Sequence, residues 1–204
     1  YHTDIADWGM ACAFARCAGT RAKVLVDTGH HLPGCNIEHI VAFLIDEEML
    51  GGFHFNDRKY ADDDLTMGSI DPYQLFRIFH EITAAEHEFG CDLDIAYMID
   101  QSHNLKPKIE AVIQTVMTAQ EHFAKALLVD HGSLANAQAR EDLVESERIL
   151  QDAYLTDVRP LLAEYRLARG LPANPLLAFR ESGYTACIAR ERGGGKQRES
   201  TGYA

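Results

Sequence analysis

Three times in this chain a short run of β-forming residues precedes a loop and an amphipathic helix, and that alternation leaves few folds open. The runs are Lys23-Val24-Leu25-Val26-Asp27, Gly52-Phe53-His54-Phe55 and Ile95-Ala96-Tyr97-Met98-Ile99-Asp100. Helix signals follow each. Asn36 is a natural N-cap before Ile37, Ile40, Val41 and Leu44. Asp71-Pro72 opens a helix along Leu75, Phe76, Phe79 and Ile82 to about Phe89, with Gly90 as its stop. A third helix is expected from Pro107 to about Leu128, and an earlier one from Asp4 to Ala18, ended by Gly19. β-loop-α units in series need right-handed crossovers, so the strands are expected to pair in parallel.

From about Leu134 to Arg169 the sequence is dominated by Glu, Arg, Ala and Leu and reads as helical, with Pro160 kinking or interrupting it. The organisation expected is an α/β unit over 1–132, a helical extension over 133–192 and a polar, disordered tail over 193–204.

Composition excludes some functions. There are 19 Lys+Arg against 31 Asp+Glu, a formal charge of -12 at pH 7. Nucleic-acid binding rests on Lys/Arg neutralising phosphates, so no nucleic-acid partner is expected, and an anionic membrane surface is disfavoured equally. No apolar run approaches the roughly 20 residues that span a bilayer. Cys12, Cys17, Cys35, Cys91 and Cys187 show no C-x-x-C spacing. They read as buried or inert thiols in a reducing cytoplasm, most simply small core hydrophobes, and not as disulfides or a zinc knot. No phosphate loop or nucleophile elbow is visible.

The chemistry gathers where parallel α/β folds put it, at the carboxyl ends of strands. The first strand ends Asp27-Thr28-Gly29-His30, the second carries His54 and then Asp62-Asp63-Asp64, and the third ends in Asp100. With a strand period of two, His54 faces opposite to Phe53 and Phe55, and Asp100 shares a face with Ala96 and Met98. Each feature alone has a plainer reading. Asp27 reads equally well as a turn former, His54 as a core histidine and 62–64 as a solvated loop. Their coincidence at one end of one sheet points to a metal site. Carboxylates mixed with imidazoles suit Mn²⁺, Zn²⁺ or Co²⁺. His80 and His87 read as packing residues, and His103 is ambiguous.

Val26-Asp27-Thr28-Gly29-His30-His31, Gly51-Gly52-Phe53-His54-Phe55-Asn56-Asp57, Tyr60-Ala61-Asp62-Asp63-Asp64-Leu65 and Met98-Ile99-Asp100-Gln101-Ser102-His103-Asn104 together resemble the L-rhamnose isomerase family of bacteria, of broad specificity. The resemblance runs from Asp7-Trp8-Gly9 to Ser182-Gly183-Tyr184. It implies a (β/α)8 TIM barrel of the xylose-isomerase-like type, of which this chain carries the C-terminal β/α units plus a helical extension. It also implies an aldose–ketose isomerase that uses two divalent ions, Mn²⁺ first, and works as a homotetramer. By resemblance Asp27, His54 and Asp100 are ligands of one ion; His30, Asp62 and Asp64 are ligands of the second, which in that family carries the catalytic water. Asp100 and His30 are accordingly the catalytic candidates. The substrates implied are L-rhamnose and L-rhamnulose.

The family's metal-bridging Glu and its nearby Lys have no counterpart in residues 1 to 23, and the chain begins at Tyr1 without Met. A closed barrel takes about 250 residues. The chain is therefore expected to be the C-terminal part of such an enzyme, with an apolar sheet edge prone to association. The alternatives are another isomerase or epimerase on the same scaffold, or a non-catalytic metal-binding fragment.

Overall fold

The computed structural model describes residues 4–60, 63–101 and 105–193. The expected tail thus lies outside the described residues beyond Gly193, as do Asp62 and His103. Strands β1 (Val24–Asp27), β2 (Leu50–Phe55) and β3 (Ala96–Ile99) alternate with helices. Helix α1 (Trp8–Ala18) precedes β1; α2 (Ile37–Asp46), α3 (Pro72–Phe89) and α4 (Lys108–Ala126) follow the strands in turn. The sheet order is β1-β2-β3, both pairs parallel.

The helix boundaries follow from local chemistry. Asp7, Asn36 and Asp71 each accept a hydrogen bond from a backbone N–H three residues on, satisfying a donor that the first turn leaves open. Asp7 therefore starts α1 later than the apolar pattern from Asp4 suggested. Gly90 closes α3 at φ 67, a left-handed conformation that suits a residue without Cβ.

Strand alternation then builds the core. Val24, Val26, Phe53 and Phe55 are buried beneath Ile40, Val41 and Leu44 of α2 and Phe76, Phe79 and Ile82 of α3. Phe53 and Phe55 stack at 4.8 Å, and Phe55 meets Phe79 at 5.5 Å. The opposite face carries Leu25 and Met98, both exposed. β3 lies at the sheet edge, and Tyr97, Met98 and Ile99 are all exposed. Beside it, Phe55, Phe79, Tyr97, Ile99, Val116 and Phe123 line an apolar cleft of about 640 Å³. Burial there pushes the Tyr97 phenol up to about 12.

After α4 the chain is helical, in separate pieces: α5 (His131–Ala139), α6 (Leu143–Leu155), α7 (Arg159–Ala168), α8 (Pro175–Glu181) and α9 (Tyr184–Glu191). Asp130, Asp142 and Asn174 cap α5, α6 and α8. Pro160 opens α7 in its first turn, so it interrupts the stretch rather than kinking one long helix. These helices dock on α3 and α4. Tyr154 packs on Tyr73 and Phe76, Arg166 donates to Gln120 and the Ala173 carbonyl, and Arg180 pairs with Glu110. His131 stacks between His80 and His87, at 5.6 and 4.9 Å, which gives both α3 histidines a packing role. The cysteine expectation needs correction: Cys12 is buried, but Cys17, Cys91 and Cys187 are exposed. Among the described residues no helix is long and apolar enough to cross a membrane.

Candidate metal centre

Parallel register brings the three strand ends together. Asp27 pairs with His54 across β1 and β2, and His54 pairs with Met98 across β2 and β3. Asp100, two residues beyond Met98, projects on that same face, and its backbone N–H extends the ladder to the Phe55 carbonyl. His54 Nδ1 lies 3.1 Å from Asp100 Oδ2 and 3.7 Å from Asp27 Oδ2. One donor atom from each of the three residues falls within 4.8 Å of the others. Donors bound to one divalent ion at roughly 2 Å sit about 3 to 4 Å apart, so this set fits an ion with little movement. Two carboxylates and an imidazole are hard-to-borderline ligands, and the absence of thiolates argues against a purely structural zinc site. Among the described residues, the ion pairs of Asp27 and Asp100 are with histidines only.

A second pair adjoins the first. His30 Nε2 lies 3.3 Å from Asp64 Oδ1, while His30 Nδ1 lies 2.6 Å from Asp27 Oδ1. The two sets therefore meet at the Asp27 carboxylate. Of the six candidate ligands, Asp27, His54 and Asp100 form one cluster, His30 and Asp64 form the neighbouring pair, and Asp62 lies outside the described residues. Asp64 reaches its position with φ 35, an unusual conformation for a residue with a side chain.

The loop that presents Asp64 is pinned from within. Asp57 and Leu65 form an antiparallel bridge, and the Asp57 carboxylate accepts from the Ile70 and Asp71 N–H groups at 2.8 and 3.3 Å. Burial raises the Asp57 pKa, and those two backbone donors partly oppose it. Asp63 turns back to accept from the N–H groups of Lys59 and Tyr60, so the middle acid of the triplet builds the loop. Beside Asp27 and His30, a cleft of about 540 Å³ is walled by Trp8, Leu25 and Leu32. Its size is that of a small-molecule site. Burial also lowers the pKa of His31, which lines the same cleft.

Thr28, Gly29 and Asn56, to which sequence patterns assign no role, organise the site. The Thr28 hydroxyl donates to the Asn56 carbonyl at 2.7 Å and accepts from the Asn56 N–H at 3.1 Å, lacing the ends of β1 and β2 together. Asn56 is 2% exposed, and its amide nitrogen donates to Asp27 Oδ1 at 2.9 Å. The Gly29 N–H donates to the same oxygen at 3.2 Å. A Cβ on Gly29 would fall 1.7 Å from Asn56 Oδ1, so this close approach needs glycine. The available signal was an amide directly after the strand that bears His54, opposite a Thr-Gly pair directly after the strand that ends in Asp27.

No family profile matches the chain. It is similar to a protein of Rhizobium meliloti (strain 1021) named "Probable sugar isomerase" and to one of Mesorhizobium japonicum bearing the same description. Identity to each is 46% over 192 residues, which is 94% of this chain and 45% of the relative. The chain thus spans less than half the length of the curated relatives it matches.

Proposed function

We propose that the chain is part of a metal-dependent sugar isomerase interconverting L-rhamnose and L-rhamnulose, its three strands belonging to a (β/α)8 barrel. The observation that carries this reading is the convergence of Asp27, His54 and Asp100 on one sheet face. The two similar proteins named as sugar isomerases support the reaction class. The choice of L-rhamnose rests on the resemblance of the four motifs.

Asp27, His54 and Asp100 would hold one divalent ion, Mn²⁺ foremost, with His30, Asp64 and Asp62 toward a second. When bound, such ions supply Lewis-acid polarisation of the carbonyl and hydroxyl oxygens of an open-chain sugar. The chain's own groups do the rest. The Asp100 side chain is 53% exposed at the end of β3, open enough to meet a substrate hydroxyl. His30 turns one ring nitrogen to Asp27 and the other to Asp64, so a proton held on either nitrogen faces a carboxylate. Trp8 and Leu25 offer apolar surface beside Asp27 to the C–H face of a sugar. The reaction needs no outside oxidant: hydrogen moves between C2 and C1 while a proton moves between the two oxygens.

Ketose formation from L-rhamnose by the complete protein to which this chain belongs, with Mn²⁺ and after complete chelation, tests the proposal; the isolated chain is expected to be inactive. Activity is expected with metal and none without it, and D100N is expected to abolish it. Full yield after chelation would refute the metal-dependent reading. Turnover of another aldose such as D-allose without turnover of L-rhamnose would move the substrate assignment within the same class.

A further inference from the structure

The Asp27 carboxylate is held asymmetrically. Oδ1 receives the Asn56 amide at 2.9 Å and the Gly29 N–H at 3.2 Å, and it lies 2.6 Å from His30 Nδ1. Oδ2 faces His54 Nδ1 at 3.7 Å, on the side where His54 and Asp100 converge. One oxygen is therefore occupied by protein donors while the other is presented to the cluster. Asn56 sits almost fully buried for this task, and its own Oδ1 has no hydrogen-bond partner among the described residues. A buried amide with an unused acceptor is unfavourable for folding alone, and a leucine of nearly the same shape would avoid that penalty. The side chain is thus better explained by the carboxylate it holds than by the core it fills.

We infer that Asn56 is a positioning residue which fixes Asp27 as a one-oxygen metal ligand through Oδ2, keeping Oδ1 as the link to His30. The inference rests on the metal reading above and goes beyond it by separating the roles of the two Asp27 oxygens. Groups that orient a metal ligand typically change affinity 10- to 100-fold when removed. Thr28 and Gly29 serve the same end indirectly: Thr28 fixes the Asn56 backbone, and Gly29 leaves room for its amide.

The test compares the wild-type protein with N56L by Mn²⁺ titration, following free Mn²⁺ by electron paramagnetic resonance, together with thermal unfolding without metal and a crystal structure of each. N56L is expected to keep or raise the metal-free Tm, to weaken Mn²⁺ binding about 10- to 100-fold, and to show Asp27 rotated away from its wild-type orientation. A dissociation constant within about threefold of wild type, or an unmoved Asp27 in the N56L crystal, would overturn the assignment. If N56L does not fold, N56S, which is too short to reach Asp27, is read by the same criteria. Absence of Mn²⁺ binding in the wild type would instead strike the metal reading; the Asp27 orientation in the variant would still decide the role of Asn56.

Discussion

Glu81 on α3 is a carboxylate in a poor place for charge. Burial is the main reason its pKa rises from 4.5 to about 7; Glu38 adds repulsion, and Arg77 partly offsets both. Arg77 is already engaged with the buried Glu38 at 2.6 Å, so one guanidinium serves two acids. The folded protein therefore keeps the Glu81 proton up to about pH 7, whereas the unfolded chain releases it near 4.5. Between those limits Glu81 holds its proton in the folded state and not in the unfolded one, so its contribution to stability is greatest at the acid end and declines as pH rises. The interval corresponds to about 3 kcal/mol, reduced by solvent screening of a partly exposed group to about 2 kcal/mol.

Glutamine at this site carries no charge at any pH. E81Q is expected to match wild type near pH 4.5 and to exceed it by about 2 kcal/mol above pH 7. In urea unfolding at a series of pH values, that appears as a midpoint gap widening to about 1 M. Burial depresses His80 to about 4, which works in the opposite direction: its contribution is full above 6.5 and lost as pH falls toward 4. Subtracting wild type from E81Q removes the His80 contribution because both proteins carry it. A gap that stays constant with pH, or an E81Q protein less stable than wild type at pH 8, would refute the reasoning.

G29A should destabilise by about 1–3 kcal/mol, because its Cβ collides with the buried Asn56 amide, and should weaken Mn²⁺ binding; an unchanged Tm would contradict this. D71A removes the side chain that accepts from the Gln74 N–H at 2.9 Å, and urea unfolding should show a loss of about 1 kcal/mol without any change in Mn²⁺ affinity.

How much of this was legible beforehand depended on whether local rules governed each element. The three strands and the helices after them came from period-two and helical patterns, and Asn36, Asp71 and Gly90 marked boundaries by their own chemistry. Alternation alone put His54 opposite Phe53 and Phe55, and parallel register then delivered Asp27 and Asp100 to the same face. The roles of Thr28 and Asn56 were hidden because they pair residues 28 positions apart through a hydroxyl and the backbone, which no spacing rule encodes. The resemblance alone set Asp64 apart from Asp63; the physical reason, Asp63 accepting from the loop's own backbone donors, is tertiary. The exposure of Cys17, Cys91 and Cys187 was missed because burial of a thiol depends on tertiary packing, not on residue type.

The alternation along β1 and β2 also bears on how readily such a chain could change. Val24, Val26, Phe53 and Phe55 point one way and Asp27 and His54 the other, so adjacent codons answer to separate demands. Mutations that retune melting temperature can accumulate on the helix-covered side while the donor set stays in register. Randomising the donor face leaves the aromatic stack to hold the backbone. A library on this scaffold can therefore be split by odd and even strand positions, with robustness selected on one half and new chemistry on the other.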